Sequence, residues 1–478
     1  MRRSHTITDW DPENLDQWRG GGEKVAKRNL LWSVVAEHVG FSVWSLWSVM
    51  VLFMPESVYG ITAADKFLIA ATATLVGSCL RLPYTLATAR FGGRNWTVFS
   101  AFVLAVPVIA TIVILANPGQ PLWVYLLCAA LTGFGGGNFA SSMTNINAFF
   151  PQRLKGWALG LNAGGGNIGV PAVQLVGLLV IAVAGDQQPY WVCAVYLVLL
   201  AVAGIGAALF MDNLDIPTVD VAAMRAAAKH RQTWIIALLY IGTFGSFIGF
   251  SFAFGQVMAT SYRAAGQSPA EASLHAAQIA FLGPLLGSLA RVYGGKLADR
   301  FGGGRVTMLV FAGMVVGAGV LIGADLSTSG GAPSGAVLIG YFTGFILLFL
   351  LSGLGNGSVY KMIPSIFEAE ARGMDTDEAT RVHYSRAMSG AVIGIAGAIG
   401  GLGGVGINLV LRTSYQATGA ATVAFCVFGT AYVLAAALTW WMYVRVPGGP
   451  STVSTPRARR DTLVGVTSAN RVPALGNG

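Results

Sequence analysis

The chain has 478 residues, 54% of them hydrophobic and 11% charged, with a formal net charge of +9 and a mean hydropathy of +0.63. A water-soluble protein of this size carries about 25% charged residues, so the composition excludes a soluble globular fold and describes a polytopic membrane protein. In such a chain the distribution of Lys and Arg says more than their sum, which argues against a nucleic-acid partner.

Residues 1–28 are polar, and the apolar run that follows is long enough to span, so it is not read as a cleavable signal peptide. About twenty apolar residues cross a hydrocarbon core. That rule predicts twelve helices, near 30–53, 66–89, 95–116, 122–148, 155–183, 190–211, 233–260, 275–298, 305–325, 336–362, 387–411 and 418–444. With the N-terminus inside, only Lys66, Arg263 and Arg412 fall at external ends, and nearly all other basic residues lie on the inner side, so both termini are expected in the cytoplasm. The expected organisation is an N-terminal segment (1–29), a six-helix bundle (30–211), a cytoplasmic linker (212–232), a second six-helix bundle (233–446) and a disordered tail (447–478). A second polar loop is expected over 366–386. Cys79, Cys128, Cys193 and Cys426 lie in apolar segments without ligand-like spacing and read as free thiols filling core space.

Two basic residues fit neither face. Arg81 and Arg291 are set inside apolar segments, where a charged side chain is costly and marks a functional site. A shift of 210 aligns RLPYTLATARFGG (81–93) with RVYGGKLADRFGG (291–303), pairing Arg81 with Arg291 and Arg90 with Arg300. Nine helical residues, roughly 13.5 Å at the α-helical rise, separate each deep arginine from its inner-end partner. Half of a bilayer core is about 15 Å, so both guanidiniums are predicted near the midplane, one in each half. That is too deep for snorkelling, and Glu37 is the one acid well inside a predicted helix, so the pair reads as an anion site rather than a structural salt bridge. Glycine-rich runs repeat as well. GFGGG (133–137) resembles GLGNG (353–357), and GLNAGGGNIG (160–169) resembles GIAGAIGGLG (394–403). Two six-helix halves with a midplane site between them is the layout of a secondary transporter.

LADRFGGGR (297–305) resembles the loop signature of the major facilitator superfamily, with Ala89 standing in the first-half copy where Asp299 stands in the second. GFGGGNFASSMTNINAFFPQRLKGWALGLNAGGGNIG (133–169) resembles the nitrate signature of the NarK-type nitrate/nitrite porter family, and 387–403 resembles its second copy. LLYIGTFGSFIGFSFAF (238–254) and FLGPLLGSLARVYGG (281–295) match that family too, so the resemblance covers roughly 10–445. It implies an all-α major facilitator fold with twelve transmembrane helices in two pseudo-symmetric halves, in the cytoplasmic membrane. It also implies that Arg81 and Arg291 hold the anion, that Asn167 touches it, and that Phe139, Tyr240 and Phe244 enclose it. Gly160, Gly164, Gly165, Gly166 and Gly169, with Gly394, Gly397, Gly400 and Gly401, match the glycines along which the helices slide during gating. Static close packing is the competing reading for these glycines. The expected partners are nitrate, nitrite and lipid, with a monomer as the working unit, no cofactor and no metal. Planar guanidinium forks suit a flat monovalent anion.

Glu37-His38 departs from the exchanger pattern, in which this part of the first helix is apolar. Glu37 is either a proton-coupling carboxylate or, like His38, paired to a polar group on a neighbouring helix. Lys361 is expected to snorkel. Three readings stay open: nitrate/nitrite exchange, proton-coupled nitrate uptake for assimilation or respiration, and an anion channel or sensor. Two-fold repetition argues against a pore, and no nucleophile–base pair or cofactor loop supports an enzyme.

Overall fold

A computed structural model describes residues 5–185, 188–215, 221–328 and 332–445. Among them, twelve helices are long and apolar enough to cross a membrane: α1 (Leu15–Phe53), α2 (Ala63–Phe91), α3 (Gly93–Ala116), α4 (Leu122–Phe149), α5 (Gln152–Ala184), α6 (Tyr190–Phe210), α7 (Arg231–Ala264), α8 (Pro269–Phe301), α9 (Gly303–Leu326), α10 (Gly335–Arg372), α11 (Glu378–Thr418) and α12 (Thr422–Val444). The fold is all-α apart from a two-residue parallel pairing of Thr6–Ile7 with Asn213–Leu214. That pairing fastens the N-terminal segment beside the end of α6, where the Arg28 guanidinium meets the Asp212 carboxylate at 2.5 Å.

The two halves repeat their local chemistry. The second helix of each begins with a reciprocal cap, in which Thr62 and Ser268 accept from the backbone N–H of Asp65 and Glu271, whose carboxylates accept in return. Such caps satisfy two of the amides a helix start leaves free. Both helices end on a glycine with positive φ, 87° at Gly92 and 88° at Gly302, a conformation that glycine adopts without penalty. This explains why the Phe-Gly-Gly of 91–93 returns at 301–303.

Helix ends differ from the hydropathy reading in a consistent way. The stretch 366–386, expected as a loop, is helical except at 373–377. Hydropathy marks where hydrocarbon ends, not where hydrogen bonding ends, and α10 and α11 continue as polar helices beyond it. The Glu368–Arg372 pair and the cap that Asp377 supplies to the Thr380 amide suit that extension. The linker likewise holds a short helix, Val221–Lys229. α1 starts at Leu15, with a kink at Gly21 (φ 135°). The expected disordered tail lies outside the described residues. Cys128 and Cys193 are buried free thiols, whereas Cys79 and Cys426 are exposed on helix surfaces rather than filling the core. Lys361 forms an ion pair with Asp299 at 3.1 Å, both about half exposed, instead of only reaching for water.

The halves meet at the face away from the termini. Ser273 on α8 donates to the Leu52 carbonyl of α1 at 2.7 Å. Gln174 on α5 donates to the Ser251 carbonyl of α7 at 2.8 Å. Phe67 stacks on Tyr415, linking α2 to α11.

Candidate functional site

Pro83 lacks an N–H, so the Cys79 carbonyl loses its helical partner, and α2 is interrupted at Leu80, directly before Arg81. Arg81 is 1% exposed. Its Nη1 donates to the Gly397 carbonyl at 2.6 Å, joining α2 of the first half to α11 of the second. Three rings face the guanidinium, with centroids 5.6 Å (Trp44), 5.0 Å (Phe139) and 4.7 Å (Phe244) from its carbon. Cation–π attraction of about 0.5–2 kcal/mol per ring offsets part of the desolvation. Nε and Nη2 have no hydrogen-bond partner among the described residues.

Arg291 on α8 is half-buried. Its guanidinium carbon lies 5.0 Å from the centroid of Tyr360, and its Nη1 also lacks a partner. Between the two arginines runs a chain of rings. Tyr360 meets Tyr240 at 4.7 Å between centroids, Tyr240 stacks on Phe244 at 5.1 Å with planes 4° apart, and Phe244 lies against Arg81. A π-helical turn, Ile241–Gly245, interrupts α7 immediately after Tyr240 and contains Phe244. Such turns recur at functional sites because they re-aim side chains. Tyr240 is fully buried, and its hydroxyl makes no hydrogen bond of ordinary geometry. Asn167 on α5 is 1% exposed with Oδ1 unpaired.

The structure thus brings Arg81, Phe139, Tyr240 and Phe244 into one cluster with Arg291, while among the described residues no hydrogen bond joins Asn167 to it. Sequence reading missed Trp44 and Tyr360. The internal repeat carried a signal for the second: the shift of 220 that aligns 133–137 with 353–357 puts the counterpart of Phe139 at Val359, one residue from Tyr360. Each arginine therefore packs on a ring from the glycine-rich helix of its own half. Nothing in the sequence marked Trp44, whose indole N–H donates to the Ala73 carbonyl at 2.9 Å.

The nine glycines separate into two groups. A β-carbon at Gly400 would run into the Tyr240 ring, at Gly401 into Ser78, at Gly166 into the Glu37 carboxylate, at Gly165 into Val34 and at Gly169 into the His38 carbonyl. At Gly397 it would touch Tyr360 and Arg81 more loosely, and at Gly160, Gly164 and Gly394 it would meet nothing within 4 Å.

Glu37 and His38 both pair with neighbouring helices. The fully buried Glu37 accepts at Oε2 from the Ser142 hydroxyl and from Asn162 Nδ2 at 2.6 Å, with Oε1 unpaired. His38 Nδ1 lies 3.1 Å from the Gly165 carbonyl. Another buried acid, Asp325 at the end of α9, accepts from the hydroxyls of Tyr341 and Thr422.

Below the cluster lies a cavity of about 730 Å³, walled by both halves. Arg81 and Phe139 close its deep end, Gly390, Gly394 and Gly397 line one side, and His383 and Arg386 flank its mouth. Arg291, Tyr240, Phe244 and Asn167 do not line it. The Major Facilitator Superfamily model matches residues 38–376. The nitrate/nitrite transporter NarU of Salmonella typhimurium is 36% identical to the chain over 92% of it and 96% of that protein. This chain belongs to the NarK-type nitrate/nitrite porter family of that superfamily. NarU of Escherichia coli is 34% identical, and the probable nitrate/nitrite antiporter NarK2 of Thermus thermophilus 31%, each over 92% of this chain and 96% of theirs. A solved structure of a mutant nucleoside transporter NupG superposes with a TM-score of 0.60 over 87% of this chain and 100% of that one. At 12% identity it speaks to the fold alone. Its relatives are named transporters, and this porter is not an enzyme.

Within the ring chain the two aromatic residues of α7 do different things. Tyr240→Phe should weaken anion binding by about two- to fivefold, the worth of one hydroxyl donor, whereas Phe244→Ala should impair both affinity and selectivity by removing a face of Arg81. Competition by chloride and sulfate checks this. Unchanged selectivity in Phe244→Ala would reduce that ring to packing.

Proposed function

We propose that this porter exchanges nitrate for nitrite across the cytoplasmic membrane by alternating access, the anion being held between Arg81 and Arg291. One observation carries the reading. Two deep guanidiniums, one per half, keep unpaired N–H donors at opposite ends of a single chain of aromatic rings. Unpaired buried donors are costly, and a flat anion satisfies them in their own plane. The names of the relatives supply the substrate pair. The glycines of α5 and α11 allow the bundles over 30–211 and 233–446 to move about the linker. Both termini are cytoplasmic, following the basic residues, so the cavity faces inward. The working unit is a monomer.

Exchange without a proton follows from charge. Two cations in a low-dielectric site repel, and one anion relieves that repulsion by meeting both. The loaded protein then crosses more readily than the unloaded one, because the ligand binds the crossing state best. Symport is favoured by a different observation, the buried Glu37 with one unpaired oxygen against Gly166, next to Asn167.

Liposomes decide between them. With nitrite inside, nitrate uptake should proceed equally with and without a pH gradient, and Glu37→Gln, which keeps the shape and hydrogen-bonding capacity, should retain exchange within about threefold. Proton-driven uptake by the parent that Glu37→Gln abolishes would replace exchange with symport.

A further inference from the structure

A second cavity, of about 400 Å³, lies between the halves at the face away from the termini. The end of α1 and the start of α2 wall one side, and the end of α7 and the start of α8 wall the other. Two cations line it, one from each half: Lys66 on α2 and Arg263 on α7. Lys66 is 8% exposed, and its ammonium has no salt-bridge or hydrogen-bond partner among the described residues. Glu56 also lines the cavity but is exposed and forms no ion pair with either cation. Gln256, Thr260 and Ser273 add polar atoms to the wall.

Lys66 is a largely buried cation without an ion pair, which is unfavourable; Arg263 across the cavity repels it, and the exposed Glu56 carboxylate offsets that only in part. The geometry points to an entry site for a small monovalent anion, bound between Lys66 and Arg263 on the outer side. That the anion is transport substrate, and that this side is external, rests on the function proposed above. The site is separate from the midplane arginines, because Ser273 and Leu52 join the halves beside it. An anion there does two things. It raises the local concentration of substrate at the outer gate, and by neutralising two cations from opposite halves it holds this face closed. Occupancy therefore favours the conformation open at the other face, in proportion to the difference in affinity between the two states.

Two measurements test it. In crystals soaked with sodium bromide, anomalous scattering should place bromide between Lys66 and Arg263 in the parent and in Arg81→Lys, and not in Lys66→Gln. In oriented liposomes, Lys66→Gln and Arg263→Gln should each raise the KM for external nitrate by about three- to tenfold and change the KM for internal anion by much less, through the conformational shift alone. Arg412→Gln removes a basic residue at the same face that does not line the cavity, and should change neither. No bromide peak overturns the site. A peak without the one-sided kinetic effect means an adventitious ion only and overturns it too, as does an equal effect from Arg412→Gln, which would assign the result to diffuse surface charge. A parent that carries no nitrate sinks the transport reading instead, and the bromide peak then decides the anion site alone.

Discussion

Replacing Arg81 or Arg291 with lysine is expected to lower nitrate/nitrite exchange by about a hundredfold or more, the scale set by losing one positioned contact at a reacting or binding centre. Lysine keeps the charge, so the long-range attraction for an anion survives. It loses the planar fork, which allows two parallel N–H contacts to one flat anion. At position 81 the loss is compounded. The guanidinium there lies against three rings and donates to the Gly397 carbonyl, so besides the anion contact proposed for it, it ties α2 to α11. A compact ammonium on a flexible stem cannot hold all of these together. Position 291, half-buried against one ring, should be less disturbed as a fold and equally disturbed as a site. Purified variants should elute as monodisperse protein and fail in liposomes charged with nitrite. Near-parental exchange by either one removes the two-arginine site from the mechanism.

Gly400→Ala is expected to lower exchange by about tenfold or more, while Gly394→Ala stays within about twofold of the parent, since overpacking a filled site costs roughly 1–3 kcal/mol and filling open space costs little. The added methyl at position 400 would enter the space of the Tyr240 ring. Tyr240 cannot retreat freely, because it is stacked on Phe244 on one side and meets Tyr360 on the other. The strain therefore passes along the ring chain toward both arginines. At position 394, on the wall of the inner cavity, the methyl meets no atom within 4 Å. Equal loss in both variants would mean that the glycines act as a sliding surface in the other conformation, rather than through the contacts of this one.

These two glycines mark the boundary of what a sequence can say. Both belong to the same repeated run, and composition gives no ground to separate them. Which one touches a ring depends on the rotation of α11 against α7, a relation between segments more than 150 residues apart in the chain.

By itself the sequence determined the twelve spans and the two-fold repeat, and it set Arg81 and Arg291 nine residues before the ends of their apolar segments. Each of these is a local or periodic property: apolar length matches bilayer thickness, and a repeat shows as self-similarity at a fixed shift. Tertiary structure decided the rest. It extended α10 and α11 past the hydrocarbon, paired Lys361 with Asp299, and enclosed Glu37 between Ser142 and Asn162. It also brought Tyr360 beside Arg291 and Trp44 beside Arg81, and left Lys66 facing a cavity shared with Arg263. None of these follows from periodicity, because each depends on which faces of distant helices meet. In a membrane, where lipid is as apolar as the core, that choice rests on the fit of small residues and polar atoms rather than on hydrophobic burial.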